Sequence, residues 1–208
     1  IQPIQHLFST GTTISVYTVT FIAINGCGSD TMTKLITVFP NTVDAFFTAD
    51  TLSGCVPLTV NFSNTSIGNT SSSWDFGDGT YSNQSSPTHV FTQSGFFTVQ
   101  LVVSDSCAYD TTSIGILVYP KPVIDFSISD DSVCVNDLIS FTNTSPNPLV
   151  NPTWDFGDGT SSTAINPTHN YTTAGTFQVS LSGASVGYNC PNTFIKSVVI
   201  LPTPISQI

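Results

Sequence analysis

Trp74-Asp75-Phe76-Gly77-Asp78-Gly79-Thr80 recurs 80 residues later as Trp154-Asp155-Phe156-Gly157-Asp158-Gly159-Thr160, seven identities in a row. The same shift carries Pro87-Thr88-His89 onto Pro167-Thr168-His169, Gly95 onto Gly175, Phe97 onto Phe177 and Val99 onto Val179. Run backwards, it lays Val19, Cys27, Asp30 and Pro40 on Val99, Cys107, Asp110 and Pro120. After three extra residues, His6-Leu7-Phe8 matches His89-Val90-Phe91. Self-similarity at a fixed period marks a repeat architecture. The expected divisions are the rear half of a repeat over 1–40, complete repeats over 41–121 and 122–203, and the start of a further repeat or a linker over 204–208. On this reading the chain is a mature or internal piece of a longer array.

Within a repeat, short alternating segments are separated by turns. Leu58-Thr59-Val60-Asn61-Phe62 alternates apolar and polar, as does most of Phe97-Thr98-Val99-Gln100-Leu101-Val102-Val103, so each strand turns one face inward. Asp78-Gly79, set between Trp74-Asp75-Phe76 and Thr80-Tyr81, is a hairpin signal, because glycine supplies the positive φ of tight turns. About seven short strands per repeat without a helical stretch predict an all-β fold of tandem immunoglobulin-like β-sandwiches, with Trp74 and Trp154 buried.

Composition agrees. All 13 acidic residues are Asp, Arg and Glu are absent, and Lys occurs three times, whereas Thr, Ser, Val, Ile, Phe, Asn and Gly abound. That is a vocabulary of strands and turns. A net charge of −10 with so few cations excludes phosphate-mediated binding, so nucleic acid is not an expected partner. No apolar run approaches the roughly 18 residues of a membrane span, and no basic-then-apolar leader opens the chain.

The Trp-Asp-Phe-Gly-Asp-Gly-Thr run, followed by Pro-Thr-His-x-Phe/Tyr-Thr and Gly-x-Phe-x-Val, resembles the signature of polycystic kidney disease (PKD) domains across nearly the whole chain. The resemblance implies an immunoglobulin-like sandwich and says little about function, since similar modules occur in adhesins, proteases, chitinases and archaeal surface layers. Low-charge, Thr-rich arrays with cysteines in these places resemble those of giant Bacteroidetes adhesins, including gliding-motility adhesins exported by type IX secretion.

In the repeat frame Cys55 precedes the second strand of its unit and Cys107 follows the long strand near its end; Cys134 and Cys190 hold comparable places. The expected disulfides are Cys55–Cys107 and Cys134–Cys190, one inside each repeat, leaving Cys27 to pair before residue 1. Closing loops of about 50 residues adds roughly 4 kcal/mol each in the chain-entropy model, and such bonds place the chain in an oxidising, extracellular compartment. With short proline-bearing junctions at Phe39-Pro40-Asn41-Thr42-Val43 and Tyr119-Pro120-Lys121-Pro122-Val123, the expected assembly is a semi-rigid rod. That expectation hangs on equivalent tryptophans and on sulfurs paired within each copy.

No catalytic motif is present. His6, His89 and His169 recur at one repeat position, which favours packing and hydrogen bonding over catalysis. Asp75, Asp78, Asp155 and Asp158 are candidate calcium ligands, since calcium prefers clustered carboxylate and carbonyl oxygens and the resemblance implies that some domains of the family bind it. They lack the Asp ladder and closing Glu of a loop site and flank one tight turn, so turn capping is expected and no cofactor is. Most Phe fall at alternate strand positions and read as core, with Tyr81, Tyr109 and Phe47 the aromatics whose exposure would suggest a sugar-binding platform. Asp30-Thr31-Met32, Asp50-Thr51-Leu52, Asp110-Thr111-Thr112 and Asp131-Ser132-Val133 resemble the O-glycosylation pattern of secreted Bacteroidetes proteins, making Thr31, Thr51, Thr111 and Ser132 candidate acceptors beside the simpler reading of turn chemistry.

Together these features predict non-enzymatic stalk repeats of a cell-surface adhesin or filament. The expected partners are neighbouring repeats of the same chain, surface polysaccharide or other proteins. An accessory polymer-binding module of a secreted hydrolase is the competing expectation.

Overall fold

A computed structural model describes residues 4–8, 13–40 and 43–203. Residues 204–208, expected to begin a further repeat, and Asn41-Thr42 of the first junction lie outside the described residues. All regular structure among the described residues is strand, and no helix there is long and apolar enough to cross a membrane.

The chain opens with an antiparallel hairpin, β1 (Ser15–Asn25) and β2 (Gly28–Val38), in continuous register from Ser15 opposite Val38 to Asn25 opposite Gly28. Eight strands follow: β3 (Phe47–Ala49), β4 (Ser53–Cys55), β5 (Leu58–Asn64), β6 (Ser71–Asp75), β7 (Tyr81–Ser82), β8 (Thr88–Phe91), β9 (Gly95–Ser104) and β10 (Tyr109–Tyr119). Eight more repeat the pattern: β11 (Phe126–Ile128), β12 (Ser132–Cys134), β13 (Ile139–Asn143), β14 (Leu149–Asp155), β15 (Ser161–Ser162), β16 (Thr168–His169), β17 (Gly175–Ser185) and β18 (Pro191–Leu201).

Each set of eight makes a five-stranded and a three-stranded sheet. The orders are β4-β10-β9-β6-β7 with β3-β5-β8, and β12-β18-β17-β14-β15 with β11-β13-β16. Strand for strand the two are the same sandwich, as the 80-residue shift predicts. The alternation could not reveal the short strands β4 and β12. These lie parallel to the last strand of their repeat, Cys55 opposite Tyr119 and Cys134 opposite Leu201.

By packing, the chain divides into two compact units, residues 1–51, 60–89 and 97–116 in one and residues 52–59, 90–96 and 117–208 in the other. In the first, Val60 and Phe62 of β5 and Val99, Leu101 and Val103 of β9 are buried while the residues between them face outward or are half-buried. In the second, Ile139, Phe141, Val179 and Leu181 do the same from β13 and β17.

The tryptophans occupy like environments. Trp74 meets Phe47 at 4.9 Å and Phe62 at 5.6 Å between ring centroids. Trp154 meets Phe126 at 5.0 Å and Phe141 at 5.8 Å. Both are fully buried, and each indole N–H donates to a backbone carbonyl ten residues on, Gln84 at 2.9 Å and Ala164 at 3.0 Å. Satisfying that N–H is what lets so large a ring sit in an apolar core without an orphaned donor.

Candidate functional site

The turn after each tryptophan brings together two aspartates and a histidine of the repeat. Strands β6 and β7 pair with Trp74 opposite Ser82 and Asp75 opposite Tyr81, so the chain must reverse over Phe76 to Thr80. Phe76 and its partner Phe156 are buried, which pins the turn against the core. Gly77 is at φ +77°, and a Cβ there would sit 2.6 Å from the carbonyl oxygen of Thr98; Gly157 is at the same φ, 2.6 Å from that of Gln178. Glycine is therefore required twice over, for its backbone conformation and for the close approach of β9 or β17. Gly79 and Gly159 need the positive φ alone, with nothing within 4 Å of a Cβ.

Each aspartate of the motif has its own task. The Gly77 N–H donates to Asp75 Oδ1 at 2.8 Å, and Gly157 to Asp155 at 2.9 Å. The Thr80 N–H and hydroxyl both donate to Asp78 Oδ1, at 3.0 and 2.6 Å, and Thr160 does the same to Asp158 at the same distances. The second carboxylate oxygen takes the histidine: His89 Nε2 lies 2.7 Å from Asp78 Oδ2 and His169 Nε2 2.8 Å from Asp158 Oδ2. An ionised carboxylate can only accept, so Nε2 carries the proton in both. The imidazole stacks on the turn's phenylalanine, at 4.0 Å on Phe76 and 4.2 Å on Phe156.

Burial opposes the ionisation of Asp78 and Asp158, but hydrogen bonds from the threonine hydroxyl, the histidine and the threonine amide outweigh it, and both carboxyls titrate below the usual carboxylate range. Tyr171 stands where the first copy has Phe91. Its hydroxyl donates to the Phe156 carbonyl at 2.9 Å, and burial, reinforced by the charges of Asp158 and Asp155, raises its pKa far above that of an ordinary tyrosine.

The four candidate calcium ligands are thus brought together in pairs with their oxygens turned to backbone amides, hydroxyls and imidazoles. Among the described residues no cluster of three or more His, Cys, Asp or Glu is arranged to hold a metal ion. The geometry is that of a braced turn: Asp caps it, Thr closes the cap, and His ties it to the strand eleven residues on. The link between Asp78 and His89 was missed in the sequence, although both recur at the same separation in the second copy.

Other candidates fall as follows. Tyr81 and Tyr109 are exposed, whereas Phe47 is half-buried and packs against the core residues Phe62 and Trp74. Thr31, Thr111 and Ser132 are exposed and Thr51 is half-buried. The aspartates preceding them are engaged in hydrogen bonds. Asp30 Oδ1 accepts from the Thr31 N–H, Asp50 from Asn61, Asp110 from the Ala45 N–H, and the Asp131 carbonyl from the Val199 N–H.

The cysteine pairing differs from expectation. Cys55 is bonded to Cys190, 135 residues away with Cα atoms 5.5 Å apart, and Cys27, Cys107 and Cys134 are free. Strand geometry explains the correction. Cys55 stands opposite Tyr119 at the far end of β10, whereas Cys107 lies in the turn before Tyr109 at its near end. Ten residues of strand at about 3.3 Å each separate those ends by roughly 33 Å, far beyond the 7 Å limit for disulfide Cα atoms. The same holds for Cys134, opposite Leu201, and Cys190, just before Pro191 at the start of β18. No repeat is locked by its own pair of sulfurs, and the rod expected from such staples loses that support.

Comparison with known proteins identifies the sandwich. A 33-residue stretch is 54% identical to collagenase ColA of Bacillus cereus, covering 16% of this chain and 3% of that protein. A solution NMR structure from Methanosarcina mazei is 29% identical, covers 57% of this chain and 82% of that one, and superposes with a TM-score of 0.34. A structure of carbohydrate-binding modules of the β-sandwich superfamily is 15% identical, covers 76% and 78%, and has a TM-score of 0.37. The profile of the PKD domain matches residues 39–116 and again 119–192. With that profile spanning most of its length in two tandem copies, the chain belongs to the PKD domain family.

Proposed function

We propose that this chain is a run of non-enzymatic spacer repeats from an extracellular, cell-surface adhesin or filament. In this reading complete copies occupy 41–121 and 122–203, and 1–40 is the rear of another. The observation that carries it is the duplication of the braced turn down to its hydrogen bonds. A reaction centre needs one site with a distinct nucleophile or acid, whereas here the carboxylate oxygens facing His89 and His169 do identical structural work in both copies. The Cys55–Cys190 bond supports an oxidising compartment.

A gliding-motility or type IX-secreted adhesin is the finer form of the proposal, resting on sequence likeness. O-glycans on the exposed Thr31, Thr111 and Ser132 would fit it, and an intact mass of the native protein equal to the bare polypeptide would remove them.

The accessory-module reading keeps two supports, the stretch shared with a collagenase and the exposed rings of Tyr81, Phe96 and Tyr109. Antiserum against the chain is expected to label intact cells and to lose its target after surface proteolysis. Labelling only after permeabilisation overturns the surface proposal. Retention of the purified chain on insoluble collagen or chitin, abolished by Tyr81→Ala or Tyr109→Ala, would replace the spacer with the accessory module.

A further inference from the structure

The three free cysteines are not scattered. Each repeat has a front position on the short strand that runs parallel to its last strand, and a rear position in the hairpin turn before that last strand. Cys55 and Cys134 are front cysteines in matching frames: the Val56 N–H donates to the Tyr119 carbonyl and the Val135 N–H to the Leu201 carbonyl, both at 3.0 Å. Cys27, Cys107 and Cys190 are rear cysteines, in the β1–β2, β9–β10 and β17–β18 turns. Their backbone N–H groups are held alike, by Asn25 Oδ1 at 2.9 Å, Asp105 Oδ1 at 2.7 Å and Ser185 Oγ at 3.3 Å.

Front and rear lie at opposite ends of one repeat, so neither can reach its own partner. The bond that forms joins the front cysteine of one repeat, Cys55, to the rear cysteine of the next, Cys190. Beside it Tyr119, opposite Cys55, stacks on Tyr188 at 4.3 Å. An independent observation places a free thiol in the corresponding position. Cys107 lines a groove with Ile14, Phe39 and Pro40, and Phe39-Pro40 corresponds to Tyr119-Pro120 under the 80-residue shift. Cys107 therefore stands beside the end of β2 where a front cysteine would be presented.

The geometry points to a disulfide ladder along the array, in which the front cysteine of each repeat is bonded to the rear cysteine of the repeat that follows it. Cys107 and Cys27 take front cysteines of repeats on their N-terminal side, and Cys134 takes the rear cysteine of a repeat on its C-terminal side. Each closure removes two thiol protons and two electrons, accepted by a small-molecule disulfide such as oxidised glutathione as it splits into two thiols.

The test extends all of the chain described above at its C-terminal end. Residues 41–203 are appended a second time after Pro202, the protein is refolded in reduced and oxidised glutathione, alkylated without reduction and mapped by mass spectrometry. The ladder predicts Cys55–Cys190, the same bond in the added copy, and a new bond from Cys134 to the Cys107 of the added copy. Only Cys27, the original Cys107 and the added Cys134 should be alkylated. In the unextended chain Cys134 should be fully alkylated, and in the extended chain Cys134→Ser should expose the added Cys107. A peptide linking Cys55 to Cys107 or Cys134 to Cys190, or alkylation of Cys134 as complete in the extended chain as in the original, overturns the ladder.

Discussion

The hairpin β1–β2 and the pair β9–β10 carry the same pattern 80 residues apart, yet only one of them is covered. Val99 and Leu101 are fully buried, while Val19 and Phe21, at the same places in β1, are 41% and 61% exposed. In both, the two strands are hydrogen-bonded neighbours, and both carry apolar residues at these alternate positions. The difference is that β9 has β6 beside it and a three-stranded sheet across from it, whereas β1 and β2 form a two-stranded sheet among the described residues. An apolar residue at an alternate strand position can thus be buried, but burial needs a second layer to close on it.

The comparison can be broken most decisively in the core. Trp74→Ala should destabilise its sandwich by about 3–5 kcal/mol, and Leu101→Ala by about 2–5 kcal/mol, through lost burial and a residual cavity. Phe21→Ala at the place equivalent to Leu101 should change stability by less than about 0.5 kcal/mol, as for an ordinary surface change. Urea unfolding followed by tryptophan fluorescence reads both, and a Phe21→Ala cost matching that of Leu101→Ala would mean that β1 is covered after all.

Next comes the turn. Gly77→Ala should cost more than the roughly 1–2 kcal/mol of a left-handed non-glycine residue, because the new methyl also meets the Thr98 carbonyl. Gly79→Ala should cost only the conformational part, and equal losses in thermal unfolding would contradict the close approach.

The braced turn has no counterpart in β1–β2, so its acid sensitivity belongs to the complete repeats. Asp78 and Asp158 have folded pKa values below the ordinary 3.8, so their contribution is present above that value and is lost as pH falls through the folded pKa. Asp78→Asn with Asp158→Asn should flatten the decline of the unfolding midpoint below about pH 4, the usual range of carboxyl titration. An unchanged slope would remove these carboxylates from the acid response. The smallest effect sharpens the comparison without mutation. Amides of Val19 and Phe21 should exchange with solvent faster than those of Val99 and Leu101, since exchange follows local opening.

Much of this was legible. The repeated tryptophan run located both copies, the alternation of β5 and β9 located their cores, and the glycines located the turn. What escaped was of one kind. Asp78 was readable as a cap and His89 as a packing residue, but their meeting depends on β8 returning beside the turn. Cys55 and Cys107 looked like a pair because both flank strands of one repeat, and a linear frame does not say at which end of an 11-residue strand each one lies.

By itself, the order of residues determined the period, the class of sandwich, the buried tryptophans and the glycines that each turn requires, because those follow from local conformation and side-chain polarity. Only the tertiary structure decided which sulfurs meet, which carboxylate holds which imidazole and which apolar faces find a cover. Those depend on distances across the sandwich, and a parallel strand of three residues, β4, was enough to carry Cys55 to the opposite end of its repeat from Cys107.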